Sequence, residues 1–157
     1  MPLLPLYLLA GSGERLRPLT DTQPKALIPI NDRPILARSI DFLYELGHRR
    51  FAVVTGYRSE MIHDFFASGY PDVDVTYIHN DRYRETNNAY SLWLARDLFG
   101  DDGMLLLDGD ILFQREIAAL MNWAENKTTQ QLEKGTRSLR AALRAVGAAA
   151  APHQRAR

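Results

Sequence analysis

Residues 6–15 read Leu-Tyr-Leu-Leu-Ala-Gly-Ser-Gly-Glu-Arg. Five apolar residues stop at Gly11 and Gly13, which is typical of a buried strand that continues into a loop. A strand covered on both faces has no polar side, so its sequence is a short continuous apolar run. We therefore predict a buried strand over residues 6–10 and a glycine-containing loop directly after it.

Strand and helix patterns alternate after this stretch. Helical spacing of apolar residues predicts a helix that starts at Pro34 and stops before Gly47, and further helices over residues 60–66 and 88–99. Apolar or alternating runs predict strands over residues 51–56, 73–78 and 104–107. This alternation predicts an α/β fold, a Rossmann-like three-layer α/β/α sandwich with a mainly parallel sheet.

Composition narrows the class of protein. The chain has 157 residues, of which 46% are hydrophobic and 24% charged, as in ordinary globular proteins. It contains no cysteine, which excludes a disulfide framework, a thiolate metal site and a cysteine nucleophile, and which suits a cytoplasmic protein. The four histidines lack metal-ligand spacing, and no apolar run is long enough to span a bilayer. We expect neither a signal peptide nor a nucleic-acid partner.

Charge divides the chain into two parts. Residues 1–126 carry 12 Lys/Arg and 18 Asp/Glu, whereas residues 127–157 carry 7 Lys/Arg and a single acidic residue, with 8 alanines among 31 residues. We therefore predict one domain over residues 1–125 and an Ala/Arg-rich tail over residues 126–157 that does not belong to it. A terminal helix packed on the sheet is the alternative. If the tail is foreign, the domain is truncated.

The polar residues that follow the predicted strands indicate where a ligand binds. In open parallel sheets, ligands bind beyond the carboxyl ends of the strands, here residues 11–15, 55–57, 79–81 and 108–110. The glycines can aim backbone N–H groups at phosphate oxygens, and Arg15 and Lys25 can add charge. The spacing fits neither a dinucleotide fingerprint nor a Walker A loop. A plain turn with two solvated cations remains the alternative.

Residues 8–20 and 24–30 resemble the signature of the nucleotidyltransferases. That signature is Leu-Ala-Ala-Gly-x-Gly-x-Arg-Leu, then Pro-Leu-Thr, then Pro-Lys-x-Leu-x-Pro, and both glycines, the arginine and the lysine are in register. The family couples a nucleoside triphosphate to a phosphorylated small molecule and releases pyrophosphate. Leu9 departs from the signature, because it replaces the first of two alanines. We expect its bulkier side chain to crowd the floor of the nucleotide pocket.

The resemblance implies a role for each matching residue. Arg15 would hold the β- and γ-phosphates, and Lys25 would lie near the α-phosphate and the incoming phosphate, where two anions must be brought together. Asp110 would bind Mg²⁺, while Asp108, which begins the Asp-Gly-Asp sequence, would support the site; a plain turn is the alternative. The nucleotide would lie against the backbone of five consecutive residues: Leu9, Ala10, Gly11, Ser12 and Gly13.

A third stretch distinguishes subfamilies. Residues 86–92 read Thr-Asn-Asn-Ala-Tyr-Ser-Leu, which resembles the phosphocholine cytidylyltransferases and their aminoethylphosphonate-activating relatives. Amide and hydroxyl groups at a helix start can contact a nucleobase, and the residues concerned are Thr86, Asn87, Asn88 and Ser91. Helix capping by the same residues is the alternative, and the two roles are compatible.

We therefore expect transfer of CMP from CTP to a small phosphorylated acceptor, such as phosphocholine or a phosphonate, with Mg²⁺ as cofactor. A sugar-1-phosphate nucleotidyltransferase is the first alternative. A nucleotide-binding module without turnover is the second, favoured by the missing second half of the family domain. The oligomeric state does not follow from the sequence.

Overall fold

A computed structural model of the chain describes residues 3–100 and 103–113. Its strands are β1 (Leu4–Leu8), β2 (Pro29–Ile30), β3 (Arg33–Pro34), β4 (Arg50–Thr55), β5 (Asp74–His79) and β6 (Met104–Asp108). Its helices are α1 (Ile35–Glu45), α2 (Ser59–Gly69) and α3 (Asn88–Leu94), with short 3-10 turns at Glu14–Leu16, Lys25–Leu27 and Arg96–Leu98.

The main sheet has four parallel strands in the order β5-β4-β1-β6. In register, Leu8 lies opposite both Val54 and Asp108, and Thr55 lies opposite His79, so all four carboxyl ends meet at one edge. The chain first builds outward from β1 through β4 to β5 and then returns to the other side of β1. The strand order thus reverses between β1 and β6, where open α/β sheets bind their ligands.

Each face of the sheet has its own apolar core. Tyr7, Phe51 and Val53 point to one side and pack with buried residues of α1 and α2. The alternating residues Leu6, Leu8, Ala52 and Val54 point to the other side and pack with Leu92 of α3 and with Ala95. Because successive side chains of a strand point to opposite faces, each central strand contributes to both cores. The predicted three-layer α/β/α sandwich with a parallel sheet is confirmed.

The first strand is displaced from its predicted position. It begins at Leu4 and includes Pro5, a residue that usually argues against a central strand. The amide of Leu9 donates to Val54 in β4, and N–H groups alternate sides along a strand, so the nitrogen of Pro5 also faces β4. Pairing with β4 begins only at Leu6, and the N–H that Pro5 lacks is therefore not needed.

The helices follow the predicted periodicity but differ at their ends. Pro34 precedes α1 with extended backbone rather than lying inside the helix. Gly47 stops α1 as predicted: its φ is 96°, its amide donates to Tyr44, and the amide of His48 donates to Leu43, both at 3.0 Å. Helix α2 is longer than predicted, and α3 is shorter because the chain tightens into a 3-10 turn at Arg96–Leu98.

The predicted boundary at residue 125 and the tail beyond it lie outside the described residues. Within residues 3–100 and 103–113, no helix is long and apolar enough to cross a bilayer.

Candidate functional site

Three segments converge at the carboxyl edge of the sheet around β1 and β6. The first is the glycine loop, residues 10–25, which follows β1. The second is the strand-end turn, residues 108–110, which follows β6. The third is the amide segment, residues 80–91, which links β5 to α3. Site residues were predicted in the first two segments from their positions after strands and from the family resemblance, and in the third from the resemblance.

The glycine loop closes on itself at Gly13. This residue has a φ of 66°, and a Cβ on it would lie 2.9 Å from Thr20 Cγ2, so no other residue fits without strain. The hydroxyl of Thr20, which is 1% exposed, donates to the carbonyl of Gly13 at 2.9 Å. By contrast, a Cβ at Gly11 would meet no atom of the described residues within 4 Å. Packing therefore explains Gly13, while Gly11 leaves open space for a ligand.

The two cations of the loop differ in their surroundings. Lys25 Nζ donates to Asp110 Oδ2 at 2.8 Å, and both side chains are partly exposed. Such a pair contributes at most about 1 kcal/mol in a solvated setting, so a ligand or metal can replace either partner at little cost. Arg15 is exposed and has no ion-pair partner within the described ranges. The structure thus brings together Lys25 and Asp110, which were predicted separately.

The strand-end turn is packed against the core through Gly109. A Cβ at this position would overlap Leu9 Cδ2 and approach Ala26, so any larger residue would force Leu9 to move. Leu9 is 3% exposed and belongs to the core cluster that also contains Ala26. The extra carbons of Leu9 therefore fill the space beneath Gly109. Whether they also affect the nucleotide stays a prediction.

The amide segment is organised by a residue that the sequence analysis did not single out. Asn80 is 1% exposed, and its Nδ2 donates to the hydroxyls of Thr86 and Ser91, each at 3.1 Å. Its Oδ1 accepts from the amide of Arg82 at 3.0 Å. A buried amide side chain with all these bonds fixes the shape of the segment before α3 begins.

The four predicted base-contacting residues have unequal freedom. Asn87 Oδ1 accepts from the amide of Ala89 and caps α3, as the alternative interpretation expected. Thr86 and Ser91 are bonded to Asn80, whereas Asn88 is exposed and its Nδ2 donates to Asp108 Oδ1 at 3.1 Å. Asn88 therefore links the amide segment to the strand-end turn. Base contacts by these residues stay predictions.

The carboxylates fit the requirements of Mg²⁺ in part. Among residues 3–100 and 103–113, no group of three or more His, Asp or Glu side chains is placed to hold a metal. Mg²⁺ often uses only one or two carboxylates and completes its shell with substrate phosphates and water. Asp108 and Asp110 flank Gly109 in one turn, each with one oxygen bonded to an exchangeable side chain. These two residues are suited to such a site.

Sequence reasoning also missed Tyr57 and Arg58. They follow β4 at the same edge of the sheet, and both contact the backbone of the glycine loop. Their position after a strand end was the available signal. The backbone of Ala10 is tied to the same point, since its carbonyl accepts from the amide of Tyr57 at 3.0 Å. Ser12, predicted to line the nucleotide, is half-buried in this loop.

Comparisons with known proteins agree with this arrangement. A model of the nucleotidyl transferase family matches residues 4–139, which extends past the predicted boundary at residue 125. The chain is 36% identical to a UTP–glucose-1-phosphate uridylyltransferase of Haloferax volcanii over 71% of its own length and 45% of that protein. It is 38% identical to the choline-phosphate cytidylyltransferase of Streptococcus pneumoniae, over 59% of this chain and 38% of the relative.

A solved structure of the CTP:phosphocholine cytidylyltransferase of Streptococcus pneumoniae superposes with a TM-score of 0.64 at 34% identity, covering 73% of this chain and 48% of that one. The chain thus spans less than half the length of each of these relatives. The family match, the parallel sheet and the glycine loop lead to one conclusion: the chain belongs to the nucleotidyl transferase family.

Proposed function

We propose that this chain binds a nucleoside triphosphate at the β1/β6 edge and takes part in transfer of its nucleotidyl group to a phosphorylated small molecule, with release of pyrophosphate. The observation that carries the proposal is the contact between Lys25 and Asp110 at 2.8 Å, beside the glycine loop. A cation for phosphate and a carboxylate for a metal stand together where the strand order reverses. Residues 85 positions apart in the chain meet there.

The chemistry requires positive charge, because the anionic phosphate of the acceptor attacks the α-phosphorus of a triphosphate that is itself anionic. Lys25 would neutralise oxygens at the α-phosphate, and the exposed Arg15 would hold the β- and γ-phosphates with its planar guanidinium. Asp110 would hold Mg²⁺, which when bound neutralises phosphate charge, and Asp108 would support the site. Backbone N–H groups around Gly11 can approach the phosphates because no atom of the described residues lies within 4 Å of a Cβ built there.

We further propose CTP as the nucleotide. Asn88 donates through Nδ2 to Asp108, so its Oδ1, which has no partner within the described ranges, is available to a ligand as an acceptor. Cytosine offers an exocyclic amine, a donor, where uracil and thymine offer a carbonyl oxygen. An acceptor beside the base therefore favours cytosine. The choice is also supported by a relative, since the protein of Streptococcus pneumoniae that is 38% identical is a choline-phosphate cytidylyltransferase.

A sugar-1-phosphate nucleotidyltransferase is the second candidate. It is favoured by the relative from Haloferax volcanii, a glucose-1-phosphate uridylyltransferase at 36% identity. The two candidates differ in base and in acceptor, and both use the same loop and carboxylates. Competition between CTP and UTP for the ligand-free protein separates them directly.

The deciding experiment measures pyrophosphate release by the chain with CTP, Mg²⁺ and candidate acceptors, namely phosphocholine, aminoethylphosphonate and glucose 1-phosphate. Release that requires CTP and a choline- or phosphonate-type acceptor supports the proposal. Calorimetric binding of CTP without release would identify a nucleotide-binding module. Failure to bind any nucleoside triphosphate would refute both.

A further inference from the structure

We propose that Tyr57 and Arg58 are positioning residues that hold the glycine loop closed, so that Arg15 and Lys25 face the triphosphate. We call this pair the loop clamp. The proposal rests on the function proposed above, since it assigns the clamp a part in nucleotide binding. Both residues bond to the backbone of the loop, and the role assigned to them acts through those bonds.

The loop clamp bonds to the far end of the glycine loop. Tyr57 Oη donates to the carbonyl of Thr20 at 2.7 Å and lies 3.1 Å from the carbonyl of Asp21. Arg58 Nη2 donates to the same Asp21 carbonyl at 2.9 Å, and its Nε donates to Tyr57 Oη at 3.1 Å. A tyrosine hydroxyl that accepts from a guanidinium is polarised and becomes a better donor.

The clamp also reaches the near end of the loop. The amide of Tyr57 donates to Ala10, where the loop begins. Thr20 passes the constraint on, because its own hydroxyl donates to Gly13. A Cβ on Gly13 would in turn lie 3.3 Å from Lys25 Cβ. Tyr57, just after β4, thus bonds to the loop at both Ala10 and Thr20. Thr20 in turn bonds to Gly13, which lies beside Lys25.

Arg58 has a backbone conformation that helix formation does not explain. It precedes α2 with φ 47° and ψ 47°, the left-handed region that disfavours residues with a Cβ. Serine, threonine, asparagine, aspartate or glycine is favoured before a helix, and Arg58 makes no capping bond there. Its guanidinium bonds to Tyr57 and Asp21 instead. Strain retained for contacts to a binding loop indicates a functional constraint.

The clamp affects affinity through the population of the closed loop. If a ligand binds only the closed form, its apparent affinity equals its affinity for that form multiplied by the fraction of molecules that are closed. Loss of one hydrogen bond to the loop should shift that fraction by about three- to tenfold. Arg15 and Lys25 would still be present, but they would face the triphosphate in a smaller fraction of the molecules.

The test compares Tyr57→Phe with Tyr44→Phe. The first removes only the hydroxyl and keeps the ring that packs against Tyr83, at 6.2 Å between centroids. The second removes a hydroxyl of the same kind that donates to Asp72, away from the carboxyl edge. We expect CTP affinity, measured by isothermal titration, to fall about three- to tenfold in Tyr57→Phe and to stay unchanged in Tyr44→Phe.

A double-mutant cycle separates positioning from plain stability. In an Arg15→Ala background, the effect of Tyr57→Phe on CTP affinity should shrink, because the loop no longer presents that cation. Thr20→Val should act in the same direction as Tyr57→Phe and should not add to it fully. Equal effects of Tyr57→Phe in both backgrounds, or unchanged CTP affinity, would overturn the proposal.

Amide hydrogen exchange of the ligand-free protein tests the clamp independently of function. The amides of Leu16 and Leu19, which bond within the loop, should exchange faster in Tyr57→Phe than in the parent. If the parent binds no nucleoside triphosphate, the proposed function fails and with it the part assigned to the clamp in binding. Unchanged exchange in the loop would show instead that the clamp itself does not exist.

Discussion

The glycine loop and the amide segment both follow a strand at the same edge, yet they are stabilised in opposite ways. The shape of the glycine loop is fixed by Thr20, Tyr57 and Arg58, while its cations Arg15 and Lys25 remain at the surface. The amide segment is fixed by its own polar side chains, which bond to the buried Asn80.

This difference separates two kinds of mutational effect. In the glycine loop, the side chains that maintain the fold are not those of the two cations predicted to bind phosphate, so charge can be removed without disturbing structure. In the amide segment, Thr86 and Ser91 are both structural partners and predicted base contacts. A substitution there changes stability before it reveals anything about the base. The predictions below either sharpen this contrast or remove it.

The largest effect is expected at the loop cations. Lys25→Ala and Arg15→Ala should each weaken CTP binding by about 10- to 100-fold, because each removes a charge-assisted bond to phosphate. The melting temperature should stay within about 4 °C of the parent, since an exposed ion pair contributes at most about 1 kcal/mol to folding. Titration calorimetry and thermal unfolding measure the two quantities. Arg50→Ala, at the opposite end of β4, is the matched control.

Unchanged CTP affinity in both variants would show that the roles assigned to these cations are wrong. A large fall in melting temperature would remove the contrast between the two regions. In that case the cations would belong to the structure of the loop, like Tyr57 and Thr20.

At Asn80 the main effect should be on stability. Asn80→Ala leaves the amide of Arg82 and two hydroxyls without their partner and should lower the free energy of unfolding by about 1–3 kcal/mol. Urea unfolding measures this, with Arg50→Ala at the exposed amino end of β4 as control. A fall in CTP affinity without loss of stability would show that Asn80 acts on the ligand instead.

Much of this architecture could be predicted from the sequence. Apolar runs made β4 and β6 visible, alternation of β-branched residues made β5 visible, and glycine marked both the loop after β1 and the end of α1. Local chemistry and topology were sufficient for these features. The sequence placed Lys25 and Asp110 in the candidate site separately, and their contact is a finding of the structure.

The remaining features depend on contacts that leave no local pattern. The loop clamp bonds to backbone carbonyls of Thr20 and Asp21, and any residue carries such an acceptor. Leu9 looked like a departure from the family signature, but its side chain lies against Gly109, 100 positions away. The sequence analysis included Asn80 only within the strand end at residues 79–81. Its burial, which lets it organise the amide segment through three hydrogen bonds, depends on tertiary packing.

Next in size is the contrast between the two aspartates. Asp110→Asn should reduce Mg²⁺-dependent CTP binding by about tenfold, and Asp108→Asn by less, because Asp108 is bonded to Asn88 and the resemblance assigns the metal to Asp110. Titration with CTP in the presence of Mg²⁺ and of EDTA gives the metal-dependent part. Equal losses would indicate that both carboxylates bind the metal; a larger loss at Asp108 would reverse the assignment.

The smallest effect concerns the choice of base, where the amide segment should act on the ligand. The parent should bind CTP better than UTP, dTTP, GTP or ATP in a competition assay, because the Oδ1 of Asn88 is an acceptor suited to the cytosine amine. Asn88→Ala should lower the ratio of CTP to UTP affinity by about three- to tenfold, the range expected for one hydrogen bond. Tyr90→Phe, on the same helix, is the matched control, since it keeps the ring that stacks on Trp93 and should leave the ratio unchanged. A parent that prefers UTP or dTTP would favour the sugar-nucleotide alternative. An unchanged ratio in Asn88→Ala would place base recognition elsewhere and leave the amide segment with a purely structural role.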